Sequence, residues 1–457
     1  MAGSRKHAIV LGGSMAGLAT ARALTNHFDH VTLIERDELA ADTGIRKGVP
    51  QAQHAHGLLP SGYRILSDYF PGMMNELIAD GAIAGDLTGD FLWYQYGGWK
   101  LRATSGLGGI VVSRPLLERK VRERVLALPK VTLLQGRDVE APIYDRQERR
   151  VSGINVRDRS TGECAALDAD LVVDALGRGS PSPKWLASWG YGPVDETSVP
   201  IDVGYATGVF ERRPGDLYGA MGAIVAGTAP QSTRFAAVLG AEGNRWIITL
   251  AGCLRDYPPT EVAAWKEFAR SLPAPEVFDL TRDRVPMAPL ASYRFPANRH
   301  CHYEALKDFP TDYLVTGDAV CSFNPLYGQG MSVALSEAFA LDQCLAAGNG
   351  DLAKRFFRET ARIVASPWAI ATGEDYRYPQ VVGRRPAGFG LISRYMARAH
   401  RVANTDPVVL KKFFEVASLL TPPPAMMAPS IAWRVLRGGG ATGTASPTHK
   451  VALARSS

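Results

Sequence analysis

The chain has 457 residues, 46% hydrophobic and 21% charged, with a formal net charge of +6. This is an ordinary soluble globular composition, long enough for two or three lobes. The basic excess is mild and holds no block of five or six like charges, which argues against nucleic-acid binding and leaves anionic substrates or membrane surfaces open. The five cysteines are odd in number and form no C-x-x-C, so neither a disulfide framework nor a zinc site is expected, and a reducing cytoplasm fits. No apolar stretch approaches the length of a transmembrane helix.

The first element is a short apolar strand, His7 to Leu11, too brief for a signal peptide and broken by glycines. It runs into Gly12-Gly13-Ser14-Met15-Ala16-Gly17, a helix from Leu18, a second strand Val31–Ile34, and Glu35-Arg36. Strand, glycine turn, helix, strand and acid is the order of a dinucleotide-binding βαβ unit. The turn brings backbone close to a pyrophosphate, and the helix start aims unpaired N–H groups at it. Glu35 is placed to accept from ribose hydroxyls, and Ser14 replaces the middle glycine of G-x-G-x-x-G.

A loop with Arg46, Lys47, Gln51, His54 and His56 follows. No Cys, Asp or Glu lies between residues 43 and 67 to join the two histidines, so they read as structural hydrogen-bonders and no metal is expected. Residues 61–80 read as a helix and 81–112 as strands, with aromatic side chains at Phe91, Trp93, Tyr94, Tyr96 and Trp99 that are core by default, lining of a large apolar pocket being the alternative. Ser113 caps a helix beginning at Arg114, where Glu118 and Arg122 form a favourable i, i+4 pair. Val131–Leu134 is a strand, and 149–157 with 163–169 form a hairpin around Thr161-Gly162. Leu171–Ala175 is a buried parallel-type strand ending in Leu176-Gly177-Arg178-Gly179-Ser180.

Residues 190–300 change character, with strands at 233–239 and 245–251 and a helix at 262–271, as in an antiparallel second lobe. Tyr313–Thr316 is again a buried strand, ending in Gly317-Asp318-Ala319. Then come Asn324-Pro325-Leu326-Tyr327-Gly328-Gln329-Gly330 and a long helix from Met331. Helices are expected at 351–366, 389–403 and 407–420, the last opened by Asp406-Pro407. The tail 438–457, rich in Gly, Ser, Thr and Ala, reads as disordered.

Three strand-then-glycine stretches, ending at Gly12, Gly177 and Gly317, resemble the FAD-dependent monooxygenase fold of aromatic hydroxylases and squalene epoxidase. Arg46–Ala52 with His54-Ala55-His56, Gly177–Ser182 and Asn324–Ser332 are similar to the bacterial flavin epoxidases of polyether biosynthesis. The resemblance implies an α/β fold: a Rossmann-like, glutathione-reductase-type FAD-binding domain, an inserted antiparallel β-sheet substrate domain, and C-terminal helices. The expected boundaries are 1–80, 110–182 and 301–345 for FAD, 81–109 and 183–300 for substrate, and 346–437 for the helices.

For the site, the resemblance implies FAD held by Gly12, Ser14, Met15, Ala16, Gly17, Glu35, Arg36, Arg46, Lys47, Arg114, Val139, Asp318, Pro325, Gly328, Gly330, Met331 and Ser332. Arg46, Gln51 and Pro325 are the side chains expected near the flavin ring, with no catalytic nucleophile needed. The flavin does the chemistry, through a C4a-hydroperoxide formed with O2, and the protein supplies a dry pocket. The implied reaction is transfer of one oxygen atom to a large apolar metabolite, most simply epoxidation of an alkene. Aromatic hydroxylation, or flavin-dependent dehydrogenation or reduction of an isoprenoid, are the alternatives. Leu176 stands where hydroxylases of this group have an aspartate, which leaves the electron donor open between transiently bound NAD(P)H and a separate flavin reductase.

Overall fold

The computed structural model describes residues 6–39, 46, 48–348, 350–438, 447–448 and 450–451. Its centre is a five-stranded parallel sheet, in which His7–Leu11 lies between Leu171–Asp174 and His30–Ile34, with Tyr313–Val315 and Val131–Leu134 at the edges. Ile9, Val10, Leu11, Val172 and Val173 are fully buried, as expected of strands covered on both faces. Helices Met15–Leu24 and Gly330–Ala346 pack against each other on this sheet. The hairpin is part of a three-stranded sheet, Arg137–Asp145, Arg150–Asp158 and Cys164–Asp168.

The second lobe is an eight-stranded sheet built around the long strands Glu196–Glu211 and Ala291–Cys301. It is antiparallel except where Gly222–Ala226 runs parallel to Phe91–Gln95. Trp246 and Trp265 are fully buried in its core. The expected helix at 61–80 is two helices, Pro60–Tyr69 and Met73–Ala79, interrupted at Gly72 in the left-handed region (φ +84°).

The C-terminal helices pack against the second lobe, where Ala103 and Leu107 share an apolar cluster with Ala399, Val402 and Phe413. Asp406 caps Pro407–Ala417, its Oδ1 accepting from Val408 N (2.8 Å) and Val409 N (3.1 Å). The helix expected to end at 366 continues through Pro367 to Asp375. A proline removes one hydrogen bond and crowds the preceding turn, but Pro367 is buried on the same face as Val364 and Ala371, and that packing carries the helix past it. Of the tail, Lys450–Val451 runs parallel to Arg102–Ala103, a pairing that an expectation of disorder did not contain, and the remainder lies largely outside the described residues.

Candidate functional site

One cavity of about 1190 Å³ runs from the first glycine turn to the C-terminal helices. Its inner end is shaped by backbone. Gly12 has φ +100°, and a Cβ there would lie 2.7 Å from the carbonyl oxygen of Ala175. At Gly17 a Cβ would lie 1.7 Å from the carbonyl oxygen of Gly12, so only glycine lets the helix start approach the strand end. Ser14 caps that helix with extended backbone and no side-chain bond to it.

Most of the expected residues do meet at the cavity: Gly12, Ser14, Met15, Ala16, Glu35, Arg36, Gln51, Arg114, Val139, Asp318, Pro325, Gly328, Gly330 and Met331 line it. Four do not. Gly17 acts in packing, and Ser332 is fully buried with its Oγ accepting from Leu59 N (3.1 Å), so it positions the helix Pro60–Tyr69. Lys47 lies outside the described residues. Arg46 is buried beside the cavity, donating to Glu35 Oε2 (3.1 Å), to the Gly13 carbonyl (3.3 Å) and to Glu118.

Sequence reasoning missed Glu118. It does not pair with Arg122 as the helix spacing suggested, but accepts from Arg114 Nε (3.2 Å) and Nη2 (3.1 Å) and from Arg46. Arg122 is itself buried. Arg114 is itself an i, i+4 partner of Glu118, from the N-terminal side, and a loop brings a second guanidinium, Arg46, to the same carboxylate. Glu35 likewise accepts from Gly13 N (2.9 Å) and Asp37 N (2.9 Å), so its carboxylate braces the glycine turn in this structure.

Asp318 lines the cavity and is exposed to it. Burial raises its pKa, against the pull of Arg114, Arg178 and Arg299. Beneath it, fully buried Glu337 accepts from Gly317 N (2.6 Å) and Thr316 Oγ1 (2.8 Å), and burial pushes its pKa to about 7. His54 Nδ1 meets Thr207 Oγ1 (2.7 Å), and burial lowers its pKa to about 4, so the ring is neutral at pH 7. His56 Nδ1 meets the His54 carbonyl (2.9 Å) and is lowered to about 3, chiefly by burial. Both histidines are therefore hydrogen-bonders at the cavity wall. His54 Nε2 and Gln329 Oε1 are buried there without a protein partner.

The loop 324–330 is held from behind by a residue the sequence did not single out. Asp375 accepts from Asn298 Nδ2 (2.7 Å), Asn324 Nδ2 (3.1 Å) and Tyr327 OH (3.0 Å). Burial raises its pKa to about 7 although those three donors pull it down. No motif marks this residue; it reaches the loop only because its helix continues past Pro367. Arg178 donates to the Ala297 carbonyl (2.7 Å) and to Ser322, its guanidinium 5.1 Å from the Phe295 ring.

The outer end is apolar. Phe91 and Trp93 line it, whereas Trp99 packs in the core of the second lobe. Trp93 meets Phe413 and Phe414 edge-on, with centroids 5.5 and 5.3 Å away. Phe235, Phe389, Tyr395, Met396 and Met426 complete this wall. Away from the cavity, His300, His302 and Glu304 bring potential ligand atoms within 4.8 Å of one another, a grouping the sequence reading did not note.

No protein-family model matches the chain. It is 34% identical over 434 residues to Protein Rv3254 of Mycobacterium tuberculosis, covering 91% of this chain and 90% of that protein. The chain belongs to the family of Protein Rv3254. Among solved structures it is similar to PqsL of Pseudomonas aeruginosa, described as a probable FAD-dependent monooxygenase, with TM-score 0.61, 18% identity and coverage of 81% of this chain and 97% of that one. It is also similar to a flavoprotein/dehydrogenase of Cytophaga hutchinsonii, with TM-score 0.67, 12% identity and coverage of 95% and 99%. The fold is that of the FAD-dependent monooxygenases.

The residues present fit FAD. The glycine cradle at 12–17 would take the pyrophosphate, Asp318 the polar chain beyond it, and the 325–330 turn the ring. The unpartnered His54 Nε2 and Gln329 Oε1 are buried polar atoms of the kind a bound group satisfies.

Proposed function

We propose that this protein is an FAD-dependent monooxygenase that adds one oxygen atom from O2 to a large apolar metabolite, with epoxidation of an alkene as the reaction. The observation that carries the reading is the continuity of the cavity: a glycine-lined polar end and an aromatic, Met-rich end share one space of about 1190 Å³. FAD, when bound and reduced, supplies the activation of O2. The chain's own work is to orient and to exclude water. The backbone of the 325–330 turn at a helix start favours negative charge beside it, and the wall of Trp93, Phe413 and Phe414 desolvates an apolar substrate. The neutral rings of His54 and His56 offer hydrogen bonds without adding charge.

Dehydrogenation is the second reading, favoured by the fold it shares with a flavoprotein described as a dehydrogenase. The electron donor is NAD(P)H or a partner reductase. The deciding experiment deletes the gene from its pathway, isolates what accumulates, and supplies that compound to purified protein with FAD and NAD(P)H, with and without a flavin reductase. A product heavier by one oxygen atom, labelled from 18O2, supports oxygenation. A product lighter by two hydrogens refutes it, and a purified protein that retains no flavin removes the whole reading.

A further inference from the structure

The charge of this chain is concentrated in one segment. Residues 376–438 carry ten Lys and Arg and two acids, Asp406 and Glu415, a net +8 where the whole chain has +6. The exposed apolar side chains gather in the same place. Among the described residues, seven of the twelve large hydrophobic side chains that stand exposed lie between Val382 and Leu436. Leu391 is 72% exposed and Ile392 45% on the helix Phe389–Val402, and Trp433 is 57% and Leu436 61% on the helix Pro429–Arg437.

These side chains form a neighbourhood. Trp433, Leu436 and Arg437 share one helix face by their i, i+3, i+4 spacing, with the Arg437 guanidinium 4.0 Å from the Trp433 ring centroid. The two helices touch where Arg398 donates to the Val435 carbonyl (2.6 Å) and the Leu436 carbonyl (2.5 Å). Leu391 lies seven residues before Arg398, two turns and about 10 Å along the helix axis on the same face. The surface also holds a mouth of the cavity, since Ile392 and Met427 line the cavity and are exposed. Tyr395 OH donates to the Met426 carbonyl (2.6 Å) beside that mouth.

We propose that the helices Phe389–Val402 and Pro429–Arg437 dock on an anionic lipid surface, with this mouth of the cavity against the lipid. Exposed Trp and Leu beside Arg on short amphipathic helices are the chemistry of interfacial binding, and no described helix is long and apolar enough to cross a membrane. The charge favours this occupant over a second copy of the chain, because the two helices carry Arg394, Arg398, Arg401, Arg434 and Arg437 and no acid, with only Arg434 paired among the described residues, to Asp406 (2.9 Å), and two such faces repel. Docking stands on the surface alone. Entry of an apolar substrate from the lipid is its consequence under the monooxygenase reading.

The test is sedimentation of the full-length protein, as purified, with vesicles of phosphatidylcholine plus phosphatidylserine and with vesicles of phosphatidylcholine alone. Binding is expected to the anionic vesicles only, with release at high salt. Arg434→Gln with Arg437→Gln should weaken it about fivefold per charge removed. Trp433→Gln with Leu436→Gln should weaken it about tenfold or more. All four positions are exposed, so an unchanged melting temperature certifies the fold of each variant. Absence of binding to either vesicle, or equal binding to both, overturns the proposal. So does light scattering that shows a dimer which these variants dissociate. Vesicle binding by a protein that retains no flavin would leave docking standing while the monooxygenase reading fell.

Discussion

Glu337 holds the turn that presents Asp318, and it does so from a fully buried position with Thr316 Oγ1 and Gly317 N as donors. Its pKa is pushed from 4.5 to about 7 by burial. Between those pH values the unfolded chain has lost the proton and the folded chain keeps it. The stability that Glu337 contributes is therefore lost as pH rises through that window. Glu337→Gln should remove its share of the fall, about 3 kcal/mol, while keeping an oxygen for both donors. Urea unfolding at pH 4.5 and pH 7.5 checks this; an unchanged slope in the variant refutes it. At this scale the sequence was informative about backbone and poor about charge. Gly12 and Gly17 were legible because only glycine tolerates their close approach. Glu118, Glu337 and Asp375 were not, because an acid's partner is set by whatever the fold brings to it.

Among the elements, the strands and glycine turns followed their sequence patterns, since period and turn chemistry are local. The exceptions were decided by packing. The helix Leu352–Asp375 ran through Pro367, and the helix expected at 61–80 broke at Gly72. Attachment of the C-terminal helices to the second lobe shows the same dependence on tertiary contact. Lys100, 3% exposed, donates to the His400 carbonyl (2.6 Å) and to Asn404 Oδ1 (2.9 Å), and burial lowers its pKa to about 7. Lys100→Met leaves those two acceptors buried without this donor, at a cost of about 2 kcal/mol. Hydrogen exchange should then speed up across 389–417 while the parallel sheet keeps its protection. Equal acceleration in both regions would mean that Lys100 supports the whole fold rather than this junction.

On the scale of the whole molecule, one cavity spans the parallel sheet, the second lobe and the C-terminal helices, so its two ends can be altered separately. Met396→Trp should fill the apolar end, leaving flavin absorbance intact and lowering turnover of the apolar substrate by more than about tenfold. Loss of flavin together with turnover would show that the ends are not separable. The sequence by itself determined the dinucleotide-type turn, the parallel sheet around it and the order of the elements, because strand period, glycine geometry and helix caps act over a few residues. Only the tertiary structure decided which acids brace the site, where the apolar end of the cavity lies, and that the basic C-terminal helices expose apolar side chains at its mouth. Those properties depend on contacts between residues as far apart as Trp93 and Phe413, which no local pattern records.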